Sequence, residues 1–503
     1  MSTPFTIPQI AVDVDGAALA EGDVAALEEV LVRQELSLPA QCQLTFVDPR
    51  GELRDAARLV GAMIRIRVGG QPAFGGQITA VESDYGPARR LEVRVRCYDL
   101  LHRLRKRQLV RAHVQVSAAD LARELAADLG VVLAAADAGP MWRRVMQSGQ
   151  SDLDLLVEVA DRSGLYPTLR GDVLHLLTLA GTGEPVPLDL GESLFEARIE
   201  VNSDRACRSV VVSAWDPARV EPHEARVSEP RTARSAAATV TSARVGGLDD
   251  RTLAGVVAAD DRQAEAIAQA ELDRRSAAEV TVTGTADGDV RLVPGARVAL
   301  RGIAASLAGT YVLTGVTHRI DRRTGFVSIF STAPPPRRPR AAGSTSAWGT
   351  VTRIDDPDGL GRIRVALPAF ANIETEWMGV VAAGAGSGKG FVALPDVGDQ
   401  VLVLFQGDER SEGVVLGAMY GLHGPPEYGI EAGVVRRRTL FTPAGHKLQI
   451  DDARGSIRLE DANGSYLELS AQQVALHANA DVTIEAPGRA VVIRGASVDF
   501  TRG

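Results

Sequence analysis

The stretch 377-WMGVVAAGAGSGKGFVALPDVGDQVLVLFQGD-408 decides how the second half of this chain folds. Its centre, 384-GAGSGKG-390, looks at first like a phosphate-binding loop, in which glycines free backbone N–H groups to wrap an anion and Lys389 reaches for its charge. The pattern fails at both ends. The residue five before Gly388 is Ala383, and Lys389 is followed by Gly390 where a magnesium-binding Ser or Thr belongs. The flanks alternate apolar and polar residues, so the glycines read as a connection that needs tight or positive-φ turns. A strand over 376–384 follows, and a folded-back pair over 390–407 turned at Pro395 to Gly398.

Together with 349-GTVTRIDD-356, 361-GRIRVALPA-369 and 413-GVVLGAMYG-421, these make five short strands in about 70 residues. The economical fit is a five-stranded barrel of the oligonucleotide/oligosaccharide-binding (OB) type over 348–425. Its aromatic residues Trp348, Phe370, Trp377, Phe391, Phe405 and Tyr420 lie within or beside apolar runs, most of them reading as core. Before it, 333-APPPRRPRAAGSTSA-347 is Pro-rich, Gly/Ser-rich and basic without a hydrophobic period, which makes 334–347 an interdomain linker.

Upstream, the period-two stretches 41-QCQLTFVD-48, 63-MIRIRV-68, 77-QITAVESD-84 and 91-LEVRVRCYD-99 predict a β-barrel domain over 1–110. An α+β subdomain, 111–200, follows. It has a helix over 117–130 with Ser117 as N-cap and Gly130 as stop, and a second over 151–164 capped by Ser151. A hairpin turns at Arg170-Gly171-Asp172. A second barrel domain, 201–333, is read from strands at 206–216, 279–286, 311–320 and 325–332 and a helix at 260–278. Residues 218–258, rich in Ala, Arg and Ser, read equally as an ordered loop or a flexible insertion. The fold class is mainly β with a few helices.

Beyond a connector at 426–454, the segment 455–503 carries apolar pairs at Ile457/Leu459, Leu467/Leu469, Val474/Leu476, Val482/Ile484, Val491/Ile493 and Val498/Phe500. Strands this short bury nothing by themselves. Three copies winding into a triangular β-prism would bury the pairs on one axis and close the sheet edges.

The bulk numbers exclude several classes. With 503 residues the chain exceeds one core, and a net charge of −9 argues against a general binder of nucleic acid or anionic membrane. The basic runs 102-HRLRKR-107 and 337-RRPR-340 read as a solvated face and linker. Cys42, Cys97 and Cys207 form no CxxC and imply neither a disulfide framework nor a zinc ribbon. No signal peptide and no run of 18 apolar residues occurs, so the expectation is a protein made and kept in the cytoplasm unless exported by other means. The eight histidines occur without HxH or HExxH, His477 stands alone, and no GxSxG elbow is present. The carboxylates of 354-IDDPDG-359 and of Asp451-Asp452 read as turn residues beside Pro and Gly, and Asn463-Gly464-Ser465 as a turn between strands. No catalytic residue, cofactor or metal ligand is assigned.

Three stretches carry a resemblance: 147-QSGQSDLDLLVEVADRSGLYPTLRGDVLHL-176, the barrel block from 361-GRIRVALP-368 to 412-EGVVLGAMYG-421, and 440-LFTPAGHKLQIDD-452. In order and spacing the chain resembles the VgrG family of type VI secretion, phage tail hub-and-spike proteins and the spikes of extracellular injection particles. The resemblance implies tail-tube-like hub barrels, an OB barrel and an intertwined triple-stranded β-helix in a homotrimer. It implies a structural, non-enzymatic spike that punctures a target envelope when a sheath contracts. The implied partners are an inner tube protein of the Hcp or tail-tube type, baseplate components, a separate PAAR-type tip protein and effectors; no nucleic acid is among them. Because the sequence stops at Gly503, any payload is expected on the tip protein or in the tube. The implied trimer axis holds Ile457, Leu459, Leu467, Leu469, Val474, Leu476, Val482, Ile484, Val498 and Phe500, with Thr501, Arg502 and Gly503 at the tip-protein contact. Some phage spikes insert a lysozyme between barrel and prism, but only about 30 residues separate Tyr420 from Asp451. Two rivals stay open: a cell-wall or polysaccharide-processing enzyme anchored by the prism, and a carbohydrate-binding module on the barrel that uses Trp377.

Overall fold

A computed structural model describes residues 8–87, 90–216, 219–337, 344–406, 413–421 and 424–501. Two compact units make up the chain, Met1–Ala418 and Met419–Gly503. In the first, the alternating stretches form strands for the reason their pattern suggests: every second residue is apolar and one face is buried. In Met63–Val68 the residues alternate strictly between exposed and buried. Across Gln41–Val47 and Leu91–Tyr98, Leu44 faces Val95 and Phe46 faces Val93 in one apolar core. Cys42 faces Cys97 in the same ladder, both fully buried and both free thiols.

These strands belong to an 11-stranded sheet that also contains Leu194–Val201, Val280–Asp287, Gly315–Asp321 and Gly325–Ser331. The join is Leu27–Glu35 against Gly315–Asp321, antiparallel, with Gln34 opposite Val316 and Glu29 opposite Asp321. Segments 1–110 and 201–333, read from sequence as separate barrels, therefore share one sheet. Pairing between strands so distant in sequence leaves no local signal. The strand expected over 311–320 is two, Gly309–Val312 and Gly315–Asp321, in different sheets. At the break the Thr314 hydroxyl donates to the Ser331 and Ala333 carbonyls, and the chain changes sheet.

The helices start where the caps place them. Ser117 and Asp120 form a reciprocal capping box on Ala118–Leu125, and the Ser151 hydroxyl accepts from the Asp154 N–H at the start of Asp152–Arg162. The first helix ends at Leu125, short of Gly130. The hairpin Tyr166–Arg170/Val173–Leu177 turns as read, with Gly171 at φ 57°. Residues 219–258, the open question of the sequence, are largely ordered: Glu221–Val227 and Asp250–Val257 flank Ser209–Asp216 in a three-stranded sheet beside the helix Asp261–Glu279. Arg231 and Arg234 fasten the intervening coil to the buried Asp273 and Glu279 of that helix. One apolar core runs from Leu101 to Leu272, so residue 200 divides nothing in packing terms.

The basic run 102–107 is largely engaged in structure. His102 and Arg103 bond the Gln77 side chain, Arg105 lies over Tyr98, and Arg107 pairs with Asp128.

The OB segment forms a six-stranded sheet in the order Ile373–Glu374, Arg364–Leu367, Ser344–Arg353, Gln400–Gln406, Gly413–Ala418, Gly379–Val380. Ser344 to Ala347, read as the end of the linker, are strand because they pair with Gln406 to Val403. The strand expected from residue 390 is absent from the ladders, and Val392 there is 86% exposed. Of the six aromatics, Trp377 and Phe405 are buried, Phe370 is half-buried, and Trp348, Phe391 and Tyr420 are exposed. Within 384–390, Gly386 and Lys389 exchange backbone hydrogen bonds, and Gly384 and Gly388 take positive φ. A turn, with no helix behind it, occupies the place of the phosphate-loop look-alike.

In 354-IDDPDG-359 the buried Arg362 donates to both oxygens of Asp356, at 3.0 and 2.6 Å, and to Asp358 at 2.6 Å. Hydrogen bonds from Arg362, with three backbone N–H groups helping, hold the Asp356 carboxyl far below its ordinary range. This cluster is a turn lock. Arg362→Leu leaves the Asp356 carboxylate buried without its partner and is expected to cost about 3 kcal/mol, read from the denaturant midpoint of the barrel.

His318 is buried with Nδ1 2.9 Å from the Ser328 hydroxyl, and burial pushes its pKa down from 6.5 to about 4. Its neutral ring thus contributes stability that is complete above pH 6.5 and lost as pH falls through that window toward 4. The loss is on the order of 3 kcal/mol. His318→Gln should flatten the denaturant midpoint between pH 6.5 and 4 relative to the native chain; equal slopes would overturn this.

Candidate functional site: the apolar face of the C-terminal sheet

The second unit is built on a five-stranded antiparallel meander, Arg437–Phe441, Lys447–Asp451, Ser456–Glu460, Tyr466–Ser470 and Val474–His477. Its turns are written in the sequence. Gly445, Gly455 and Gly464 take positive φ. At Asn463-Gly464 the Asp461 carboxylate accepts the N–H groups of Asn463 and Ser465. Asp451 likewise accepts from Ala453 and Arg454, which makes it a turn residue and not half of an acid/base pair.

Register sorts the side chains by face. Leu440, Leu448, Leu459, Leu467 and Leu476 stand directly opposite one another across all five strands, and Ile450, Ile457, Leu469 and Val474 form a second row two residues away. A two-residue offset keeps both rows on one side of the sheet. All nine are between 38% and 69% exposed. Since each is already about half covered, burying the remainder stabilises by roughly 1 kcal/mol per residue, and a contiguous apolar face of this extent marks an interaction surface.

The other side is polar and internally paired. Arg458 bonds Glu460 and Glu468 and lies 3.7 Å over the Tyr466 ring, which stacks on His477. Lys447 reaches Glu460 at 3.0 Å. Hydrogen bonds from Arg458 and Lys447 hold the Glu460 carboxyl below its ordinary value. At the first strands Glu427 accepts from Arg437, Thr439 and Gln449; burial opposes its charge, yet these bonds hold its pKa down.

Of the residues expected on the trimer axis, Ile457, Leu459, Leu467, Leu469, Val474 and Leu476 share this face. Val482, Ile484, Val498 and Phe500 do not join it: among the described residues no strand is assigned from Ala478 to Thr501, and all four side chains are exposed. Thr501 is exposed, and Arg502 and Gly503 lie outside the described residues. Among the described residues, the apolar pairs of that stretch find no ladder partner. Sequence reasoning missed Leu440, Leu448 and Ile450, which it left in a connector, although 446-HKLQID-451 already alternates.

Elsewhere in the chain, Trp377 is buried beneath two guanidinium groups, Arg353 at 5.3 Å and Arg364 at 5.0 Å from its ring, and presents no open face to a sugar. Asp216, Glu221 and His223 converge, with His223 Nδ1 2.8 Å from Asp261. Two arginines already neutralise the carboxylates: Arg143 pairs with Asp216, and Arg219 sits 3.9 Å from Glu221. His423 lies outside the described residues.

A family model described as the Alg8 N-terminal domain matches residues 6–322. A second, described as the type VI secretion system/phage-baseplate injector OB domain, matches residues 347–420. Over 153 residues the chain is 28% identical to the type VI secretion system spike protein VgrG4b of Pseudomonas aeruginosa, a match that spans 29% of this chain and 18% of that protein. Among solved structures, an Escherichia coli component of the type VI secretion system, described as similar to the T4 bacteriophage tail proteins gp27 and gp5, superposes with a TM-score of 0.53 at 14% identity, over 81% of this chain and 99% of that one. A chain of the Francisella PdpA–VgrG complex in its lidded form gives 0.52 at 10% identity, over 93% of this chain and 79% of that one. The named relatives are spike and tail proteins. The chain belongs to the Alg8 N-terminal domain family, matches the type VI secretion system/phage-baseplate injector OB domain over residues 347–420, and is similar in fold to a chain of the PdpA–VgrG complex.

Proposed function

We propose that this chain is the hub and central spike of a contractile injection machine, acting as a homotrimer and without catalysis. The observation that carries the reading is the bare apolar face of the C-terminal sheet. Three copies that turn this face to a common axis bury the two rows of leucine, isoleucine and valine and leave the ion-paired face to water. In this arrangement the segment after His477 continues the same apolar spacing, with Val482, Ile484, Val498 and Phe500 completing their ladders against other copies. A closed prism without free edges suits a load-bearing rod.

The partners follow from the same reading: an inner tube protein of the Hcp type and baseplate components at the hub, and a PAAR-type tip protein seated on Thr501 to Gly503. Effectors are the remaining class of partner in this reading. The protein is made and assembled in the cytoplasm and is released with, or driven by, the particle. The enzyme rival rests on no catalytic group in the described residues, and the carbohydrate-binding rival would need the ring of Trp377, which Arg353 and Arg364 cover.

Light scattering of the full chain should give three times the mass of one copy, and a stable monomer would overturn the proposal. Leu459→Asp with Leu467→Asp places two charges on the buried face and should leave monomers with a folded first unit. Val482→Asp with Ile484→Asp tests the distal segment separately. An intact trimer that keeps full protease resistance beyond His477 would remove those two residues from the axis.

A further inference from the structure

The linker composition of 334–343 belongs to domains that reorient freely, yet the side chains between hub and OB barrel join them. Met146, on the hub strand Trp142–Ser151, is only 7% exposed and lies in the same apolar core as Val351, Leu367 and Phe405 of the barrel. Ala112, directly opposite Met146 on the neighbouring hub strand, packs on that core too. The hub thus supplies part of the barrel's interior.

Two residues along the same strand, and so on the same face, Arg144 is 9% exposed at its side chain. Its Nε donates to Glu376 Oε1 at 2.8 Å and its Nη1 to the Glu374 carbonyl at 2.9 Å. The barrel holds these acceptors in place. Arg364 donates to the Glu374 and Glu376 carboxylates at 3.1 and 3.4 Å, Thr352 bonds Glu374, and the Arg364 guanidinium is stacked over Trp377. A guanidinium that meets a carboxylate and a carbonyl at once fixes orientation as well as distance.

We propose that Arg144 and Met146 form a fixed joint that seats the OB barrel on the hub, so that the two move as one body and the linker does not set their geometry. Arg144 is a positioning residue in this scheme, acting through Glu374 and Glu376. If the chain is a spike, axial load passes from hub to barrel through these side chains; that consequence rests on the spike reading, whereas the joint does not.

The test is an intrachain distance between spin labels on the full chain carrying Ser83→Cys in the hub and Asp399→Cys in the barrel, both exposed positions. The three native cysteines are buried. Labelled chain is diluted into unlabelled chain, so that the distance is read equally from a monomer or an oligomer. One narrow distribution is expected. Lengthening the linker by a Gly-Ser repeat should leave it unchanged, while Arg144→Gln should broaden it and Arg144→Lys should fall between. Met146→Asp should broaden it further; should that variant unfold the barrel, Arg144→Gln, which leaves the apolar core intact, remains the deciding variant. A broad distribution in the native chain, or broadening by the longer linker with none from Arg144→Gln, would overturn the joint.

Discussion

A strand with apolar residues at every second position gives its sheet one face that water disfavours, and something has to cover that face. In the first unit the chain covers its own. Leu44, Phe46, Val93 and Val95 pack inward, and the polar residues between them face out. In the second unit the alternation is just as regular, but one chain supplies a single layer, and the two rows from Leu440 to Leu476 and from Ile450 to Val474 stay bare. A single rule of local structure thus produces a closed domain in one place and an unfinished one in the other. The difference lies in how many layers the chain can fold over itself.

Signals confined to a few neighbouring residues were readable in the sequence. Ser117, Ser151 and the Arg170-Gly171-Asp172 turn announce their elements because a cap or a turn is decided within four residues. The same holds for Ile457/Leu459, Leu467/Leu469 and Val474/Leu476, whose spacing alone puts six side chains on one face. What depends on distant partners was not readable. Nothing near Leu27–Glu35 says that Gly315–Asp321 will lie beside it, and nothing in 334–347 says that Met146 will complete the barrel core. Residues 390–397 mislead in the other direction, since an apolar run with strand character finds no ladder and leaves Phe391 and Val392 in water. Val482, Ile484, Val498 and Phe500 carry the same spacing as the pairs before them, but spacing cannot supply a neighbouring strand.

Charge follows a similar logic. The arginines look scattered in the sequence, yet in the fold several are committed to acids that would otherwise be buried without a cation: Arg231 to Asp273, Arg234 to Glu279, Arg362 to Asp356. Each of these guanidinium groups joins a loop or strand to a different element or closes a turn. Removing one costs more than a surface ion pair would, because the carboxylate it leaves behind has little water to turn to.

The facing pair Cys42 and Cys97 has a bearing on how the molecule ages. Burial raises the Cys42 thiol well above its ordinary value and pushes Cys97 up to about 12. Oxidants attack the thiolate, and at neutral pH hardly any thiolate exists at either residue. While the sheet stays closed over them, these two thiols are poor targets for an oxidant, and the protection comes from packing and not from a bond between them.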